Sequence, residues 1–367
     1  MENSLRNQFD TPCLVVDQQI LRKNILEMQQ EAQVNGCKLR PHIKTHKIPH
    51  LAKMQIAAGA CGITSCKVSE AEVMADSGLS DIFIAYPLVG AEKLRRVCML
   101  SKKIQRLILA VDSIEQTKPL VLAAESNNCQ MEVRIEVDCG GGRTGVELEH
   151  FTPLVKFVES SPILKLTGLY TFRGLNGGFT DPAISANLEV KLLEQYKVIA
   201  EDICGRKLEI SGGSTPTGRE VSCSEIVTEI RPGTYIFNDY MIHKECDVTL
   251  DRIAAKLLVT VISVHSNYAV IDGGCKTFPT DISLNQPPYY FESYAYFPDR
   301  PQLRLTRLSE EHGMITAADG PLGLQVGDIL EAIPLHICPA VNLQNKIYLV
   351  DEENIRVEKV LGRGMVQ

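Results

Sequence analysis

The ordered pattern of the chain starts with a short apolar run, Cys13-Leu14-Val15-Val16. A stretch from Gln18 to Asn35 follows in which Ile20, Leu21, Ile25 and Met28 recur at helical spacing. A continuous apolar run predicts a buried strand, and recurrence near every 3.6 residues predicts a helix. The alternation then repeats. Lys38–Ile43 reads as extended, Ile48–Ala58 as helix, Gly62-Ile63-Thr64 as a short buried strand and Val68–Ser77 as helix. Asp81–Ala85 and Arg106–Val111 read as strands, each followed by a helical pattern, Ala91–Lys102 and Ile114–Asn127. Further strands are predicted at Met131–Val137, Lys165–Tyr170 and Lys207–Ile210.

Strands rich in β-branched residues, separated by helical segments, call for a parallel sheet. About eight such units before residue 240 predict a closed (β/α)8 barrel, with a doubly wound open sheet as the alternative. From Asp247 the pattern changes to closely spaced extended segments at Ala255–Val264, Tyr268–Asp272, Gly327–Pro334 and Lys346–Val350, with a Pro-rich loop over Gln286–Pro301. The expected fold class is therefore α/β, with two parts. A TIM-type barrel spans residues 1–245, its first ten or so residues open to either part, and an all-β domain spans residues 246–367.

Composition narrows the classes rather than the fold. With 367 residues, 44% of them hydrophobic and 23% charged, the chain can bury a barrel core and a second domain. A net charge of -7 argues against a nucleic-acid partner, which needs clustered cations. No stretch approaches the roughly 18 apolar residues of a membrane span. A cytoplasmic protein without membrane partners is the expectation. The 12 cysteines form no CxxC pair and read as small buried hydrophobes, with Cys338 set apart below.

Chemistry enters at the predicted strand ends, where a barrel keeps its active site. Pro41-His42-Ile43-Lys44-Thr45-His46-Lys47 follows a strand and crowds cations around Lys44, a setting that favours its amine as a nucleophile toward an aldehyde. Asp138-Cys139-Gly140-Gly141-Gly142-Arg143-Thr144-Gly145 also follows a strand, its glycines admitting a ligand close to the backbone and Arg143 offering a planar cation. Ser211-Gly212-Gly213-Ser214-Thr215-Pro216-Thr217 supplies amides and hydroxyls suited to a phosphate. Glu229-Ile230-Arg231-Pro232-Gly233-Thr234-Tyr235 adds a further turn and a phenol. Each turn alone is weak evidence; four in this order are not.

With these residues the chain resembles the fold-type III pyridoxal-phosphate enzymes of the D-threonine aldolase and D-serine dehydratase group, related to alanine racemase. The likeness runs nearly full length. It is carried also by Val68-Ser69-Glu70-Ala71-Glu72, Ser309-Glu310-Glu311-His312-Gly313 and Ile333–Leu343. The resemblance implies pyridoxal 5′-phosphate as cofactor, Lys44 as its Schiff-base lysine and Arg143 at its ring. It implies a phosphate held by Ser214, Thr215, Gly233 and Tyr235, with Tyr170 as a further cofactor-lining residue. It also implies a head-to-tail homodimer. Phe172 and Leu175 stand where relatives often carry more polar side chains, which bears on the substrate more than on the cofactor.

His336-Ile337-Cys338 sets an imidazole and a thiol two positions apart in a segment read as extended, where both face one side. Spacing alone falls short of a metal site, since structural zinc takes four ligands. The resemblance implies that this pair holds a divalent metal, zinc by ligand softness with manganese as the alternative. Two protein ligands leave positions for water and a substrate hydroxyl. The implied activity is a metal-assisted lyase acting on a β-hydroxy-D-amino acid. Cys338, where the aldolases carry a carboxylate, points to the dehydratase type, with D-serine or 3-hydroxyaspartate as substrate class. D-threonine aldolase chemistry, an amino-acid racemase and a non-catalytic pyridoxal-phosphate carrier are the alternatives.

Overall fold

The computed structural model of the protein describes residues 6–175, 181–352 and 354–367. Strand β1 (Cys13–Asp17) is followed by the helix Gln18–Val34 and then by β2 (Lys38–Leu39), β3 (Ile63–Ser65), β4 (Asp81–Pro87), β5 (Arg106–Val111), β6 (Met131–Glu136), β7 (Leu164–Tyr170), β8 (Glu209–Gly212) and β9 (Glu229–Ile230). Strands β2 to β9 form one parallel sheet in the order β2-β9-β8-β7-β6-β5-β4-β3. Its two ends meet. His42, just past β2, bridges Thr64 of β3, with the Thr64 amide donating to Pro41 O at 2.8 Å and the Cys61 amide to Leu39 O at 2.9 Å. The sheet is an eight-stranded barrel, the class the strand rhythm predicts, although β9 falls in a segment whose sequence reads as a turn.

Most barrel strands are joined by outer helices, among them Val68–Asp76, Ala91–Ser101, Leu148–Ser160 and Pro182–Cys204. Their apolar stripes cover the sheet and form one core with Ile82, Leu109, Val133, Leu166 and Ile210. Inside the barrel a second layer is apolar, with Phe83, Ile108, Ala110 and Tyr170 packed together and the Tyr170 ring edge-on to Phe83 at 5.0 Å. Below it lies an ionic plug. Glu229 accepts from Arg40 Nε at 2.7 Å and from Arg134 Nη1 at 2.5 Å, and all three side chains are buried. Asp81, Arg106 and Glu209, the first residues of their strands, extend the network toward the strand N-terminal ends. Charge fills one end of the barrel, and the other end is open for a ligand.

The remaining strands are β10 (Ala255–Val264), β11 (Ala269–Ile271), β12 (Ala295–Tyr296), β13 (Leu303–Leu308), β14 (Gly313–Ala317), β15 (Ile329–Pro334), β16 (Lys346–Asp351) and β17 (Asn354–Lys359). They build a largely antiparallel sheet, and β1 belongs to it rather than to the barrel. Cys13 pairs with Leu258 of β10, and Val15 pairs in parallel with Tyr348 of β16. The rhythm counted β1 as a barrel strand because a fully buried run reads alike in either sheet. Residues 1–5 lie outside the described residues, and Arg6 ties the start of the described chain to Asp299 and Glu331 of this sheet. The domain is not all strand. A helix spans Ile337–Leu343, with Ile337, Ala340 and Val341 as its buried stripe. Among the described residues no helix is long and apolar enough to cross a membrane.

The helix Ile337–Leu343 sets the second domain against the open end of the barrel. Lys47 Nζ donates to Asn342 Oδ1 at 2.9 Å and pairs with buried Glu70 at 3.2 Å. Asp239 Oδ2 accepts from the Ile337 amide at 2.9 Å, and the Met241 amide donates to Leu335 O. These polar ties hold both domains at one seam.

Candidate active site

A cavity of about 390 Å³ opens at the carboxyl ends of the barrel strands. The loop after β2 brings Lys44, the loop after β6 brings Arg143, and the loops after β8 and β9 bring Ser214, Thr215, Gly233 and Thr234. His336 and Cys338 close it from the second domain. Candidates from five separate stretches of chain thus share one wall.

Lys44 sits in a 3-10 turn, Ile43–Thr45, capped by the His42 ring, Lys44 N donating to His42 Nδ1 at 3.4 Å. The amine and the Arg143 guanidinium both lie over the Phe172 ring, at 5.4 and 4.9 Å from its centroid. Phe172 therefore offers one apolar ring to two cations. Burial, with the charges of Lys44 and Arg231 behind it, drives His42 well below the ordinary histidine value. A neutral His42 with Nδ1 accepting carries its proton on Nε2, which faces Cys66 Sγ at 3.3 Å.

The turn at Ser214 is folded tightly. Ser214 Oγ lies 2.9 Å from Thr217 Oγ1, and Thr215 Oγ1 accepts from the amides of Gly233 at 3.3 Å and Tyr235 at 3.2 Å. A side chain at Gly233 would begin 3.0 Å from both His42 O and Thr45 Oγ1, so glycine lets this turn lie against the Lys44 turn without displacing either. Amides and hydroxyls converging from two turns form a cup of neutral donors, and Arg231 adds charge close by. These groups match the demands of a phosphate dianion.

Two predicted side chains are placed elsewhere. The Tyr235 phenol accepts from Gln55 Nε2 at 2.8 Å behind the cavity wall, so Tyr235 offers the turn its amide and not its hydroxyl. Tyr170 lies beneath the cavity floor, donating to Glu136 Oε2 at 2.9 Å. Burial, then the Glu136 charge, raises the phenol well above its usual value. Conversely, Arg231 was not among the predicted site residues although its motif was. It is buried, lines the cavity, and donates to Ser211 Oγ at 2.5 Å and Thr171 O at 2.6 Å. Burial lowers the Arg231 guanidinium from its ordinary value, opposed by the charge of Glu229, and its bonds to a hydroxyl and a carbonyl fix it at the cavity wall.

His336 is extended and Cys338 starts the helix, so they do not share one face of a strand as the spacing suggests. Their side chains meet nonetheless. Burial would strip the proton from His336, but the Cys338 sulfur, then Asp281, outweighs it and pushes the imidazole up to about 11. Burial likewise opposes a Cys338 thiolate, and His336 and the Thr45 hydroxyl overcome it, lowering the thiol. Asp281 Oδ2 holds His336 Nδ1 at 2.6 Å. A carboxylate on one ring nitrogen orients the other toward a cation, and a thiolate is a soft donor, so the pair fits a zinc-type ion. Among the described residues no cluster of three or more His, Cys, Asp or Glu side chains is placed to hold a metal, which leaves this two-residue pair.

Behind the phosphate-type turn, Glu189 of the helix Pro182–Cys204 is fully buried. Its Oε1 accepts from the Gly213 amide at 2.7 Å, and its Oε2 has no hydrogen-bond partner among the described residues. Burial raises it from 4.5 to about 7. Its proton leaves the unfolded chain near 4.5 but the folded chain only near 7, so folding stability falls as pH rises through that window. At about 1.4 kcal/mol per unit the change is roughly 3 kcal/mol. Denaturant unfolding of Glu189→Gln should therefore show its stability relative to wild type rising by about that amount from pH 4.5 to 7.5. A constant difference would mean that Glu189 ionises freely.

The barrel matches the family model described as "Alanine racemase, N-terminal domain" over residues 16–241, and residues 254–350 match the "Putative serine dehydratase domain". A 3-hydroxy-D-aspartate aldolase of Paracoccus denitrificans (strain Pd 1222) is 28% identical, with 96% of this chain and 91% of that protein covered. A D-threo-3-hydroxyaspartate dehydratase of Delftia sp. (strain HT23) is 30% identical over 90% of this chain and 91% of its own length. The crystal structure of a D-threonine aldolase from Filomicrobium marinum superposes with a TM-score of 0.89 at 29% identity, covering 98% of this chain and 97% of that one. A cysteine-to-alanine mutant of D-threo-3-hydroxyaspartate dehydratase has been solved in a metal-free form, with a TM-score of 0.88, 26% identity and coverage of 98% and 99%.

Proposed function

The chain belongs to the alanine racemase N-terminal domain family and carries the serine dehydratase domain behind its barrel, and we propose that it is a metal-assisted dehydratase of a β-hydroxy-D-amino acid. It is an enzyme of the lyase type. The observation that carries the reading is the meeting of Lys44 with His336 and Cys338 in one cavity, from opposite ends of the chain.

Pyridoxal 5′-phosphate, when bound, supplies an electron sink at the substrate α-carbon. Lys44 is the amine that would hold its aldehyde carbon and carry the α-proton afterwards. The cup of Ser214, Thr215 and Gly233 would take the phosphate, with the Tyr235 amide and Arg231 beside it. Arg143, its guanidinium 4.9 Å from the Phe172 ring centroid, would contact the cofactor ring. His336 and Cys338 would hold the divalent ion, zinc by donor type and manganese as the alternative. Having only two protein donors, they leave room for the substrate hydroxyl, where a cation eases departure of hydroxide. The thiol at Cys338 favours dehydration over carbon–carbon cleavage. A homodimer in the cytoplasm completes the reading.

Purified enzyme loaded with pyridoxal phosphate and zinc should release keto acid and ammonia from D-serine or 3-hydroxy-D-aspartate, and chelation should stop it. Glycine and an aldehyde from D-threonine, without keto acid from either substrate, would replace dehydration by aldol cleavage. Racemisation of alanine without either product would point to the racemase alternative.

A further inference from the structure

We infer that Thr45 and Thr234 couple the two cofactor-side turns to Cys338, so that cofactor and divalent cation strengthen each other's binding. The inference rests on the reading of the cavity given above. Thr45 directly follows Lys44, is fully buried, and places its Oγ1 3.2 Å from Cys338 Sγ. Thr234 directly follows Gly233 and places its Oγ1 3.7 Å from the same sulfur. Either atom of each pair can donate, and a sulfur that binds a cation only accepts, so both hydroxyls would then donate to it.

The two turns are also locked to each other. The His42 amide donates to Pro232 O at 2.9 Å, and Gly233 packs so closely on Thr45 Oγ1 that a β-carbon would begin 3.0 Å from it. Thr215 Oγ1 binds the amides on either side of Thr234, which links the third turn. One sulfur therefore receives a hydroxyl from the turn that carries the amine and another from the turn that helps form the phosphate cup. A cofactor joined to Lys44 and seated on Gly233 restrains both turns, and restrained donors hold the thiolate in place for a cation.

The two metal ligands thus have different supports. His336 is held by Asp281, within its own domain, whereas Cys338 is held across the seam by barrel residues. Thr45 and Thr234 are positioning residues in this scheme and touch no reacting atom. Linkage makes the effect reciprocal, since a factor gained by zinc when the cofactor is present is gained by the cofactor when zinc is present.

The test measures zinc affinity by competition with a chromophoric chelator, on protein stripped of pyridoxal phosphate and on the same protein reloaded. Wild type should bind zinc about 5- to 50-fold more tightly when loaded. Thr45→Val should bring that ratio toward one, and Thr45→Ser, which keeps the hydroxyl, should preserve it. Asp281→Asn should weaken zinc by about 10- to 100-fold in both forms and leave the ratio alone. Equal affinity with and without the cofactor in wild type overturns the coupling, as does a ratio that survives Thr45→Val combined with Thr234→Val. Unchanged zinc binding in Cys338→Ala would instead remove the metal assignment, and the coupling with it.

Discussion

Replacing Lys44 by alanine should abolish the visible absorbance of the cofactor-loaded enzyme and lower turnover by more than about 10³-fold, as loss of a covalent nucleophile from its working unit does. The effect should be chemical rather than structural. Lys44 lies in a three-residue turn held by the His42 ring, by the packing of Gly233 and by its neighbours Ile43 and Thr45, both fully buried. None of these contacts uses the lysine amine. The melting temperature of stripped Lys44→Ala should therefore stay near that of stripped wild type, and a small primary amine added to the solution should restore part of the turnover. A variant that kept a visible band shifting on addition of D-serine would move the covalent role to another lysine. Lys47 is poorly placed to take it, because its amine is engaged by Glu70 and Asn342.

Glu229→Gln should cost about 3–5 kcal/mol of stability, the scale expected when one partner of a buried ion network is removed. Its carboxylate accepts from Arg40, Arg134 and Ser211, and both arginines are almost wholly buried. Without it, two guanidinium ions lose their central counter-charge in a place that water does not reach. Burial raises the Glu229 carboxyl, and Arg134 and Arg40 more than reverse this, holding it well below the usual carboxylate range. The folded value is the lower one, so this contribution is full above the unfolded value of 4.5 and is lost as pH falls through the folded value. Denaturant midpoints of wild type and variant should differ by a constant amount from pH 6 to 8 and converge only in strong acid. A gap that closed near neutrality would show that the network, and not this carboxylate, sets the stability.

Where the sequence was legible, a local pattern carried the information. Several barrel strands are short runs of buried apolar residues, such as Ile82-Phe83-Ile84 and Leu107-Ile108-Leu109, and the outer helices Val68–Asp76, Ala91–Ser101 and Ile114–Ser126 show their stripes within a few turns. Lys44, Arg143, Ser214, Thr215 and Gly233 were legible because the end of a barrel strand is itself a local event, marked by glycine and small polar residues after an apolar run. The helix Ile337–Leu343 also carries a local signal. Ile337, Ala340 and Val341 are its buried positions, at the spacing of one helical face, and Pro339 falls in its first turn, where its missing amide does no harm.

Other features had no local signal. Cys13 to Val16 are buried on both faces in the antiparallel sheet just as they would be in a barrel, so burial alone does not say which sheet holds them. The phenols of Tyr170 and Tyr235 follow from which neighbour lies in reach, Glu136 for one and Gln55 for the other, and those partners are set by packing. Asp281 is an ordinary loop aspartate until the fold brings it to His336, 55 positions away.

By itself the sequence determined the barrel rhythm, the change to close-set strands after residue 247, and the identity of an amine, a basic loop and small-residue turns at strand ends. Only the tertiary structure decided that Thr45 and Cys338, 293 positions apart, touch. It also decided that His336 and Cys338 meet, each shifting the other's proton affinity, and that Arg231 reaches the cavity while two phenols do not. The physical reason is range. Periodicity and turn chemistry act over a few residues, whereas desolvation, charge pairing and the meeting of side chains across a seam depend on the closed barrel and its docked domain.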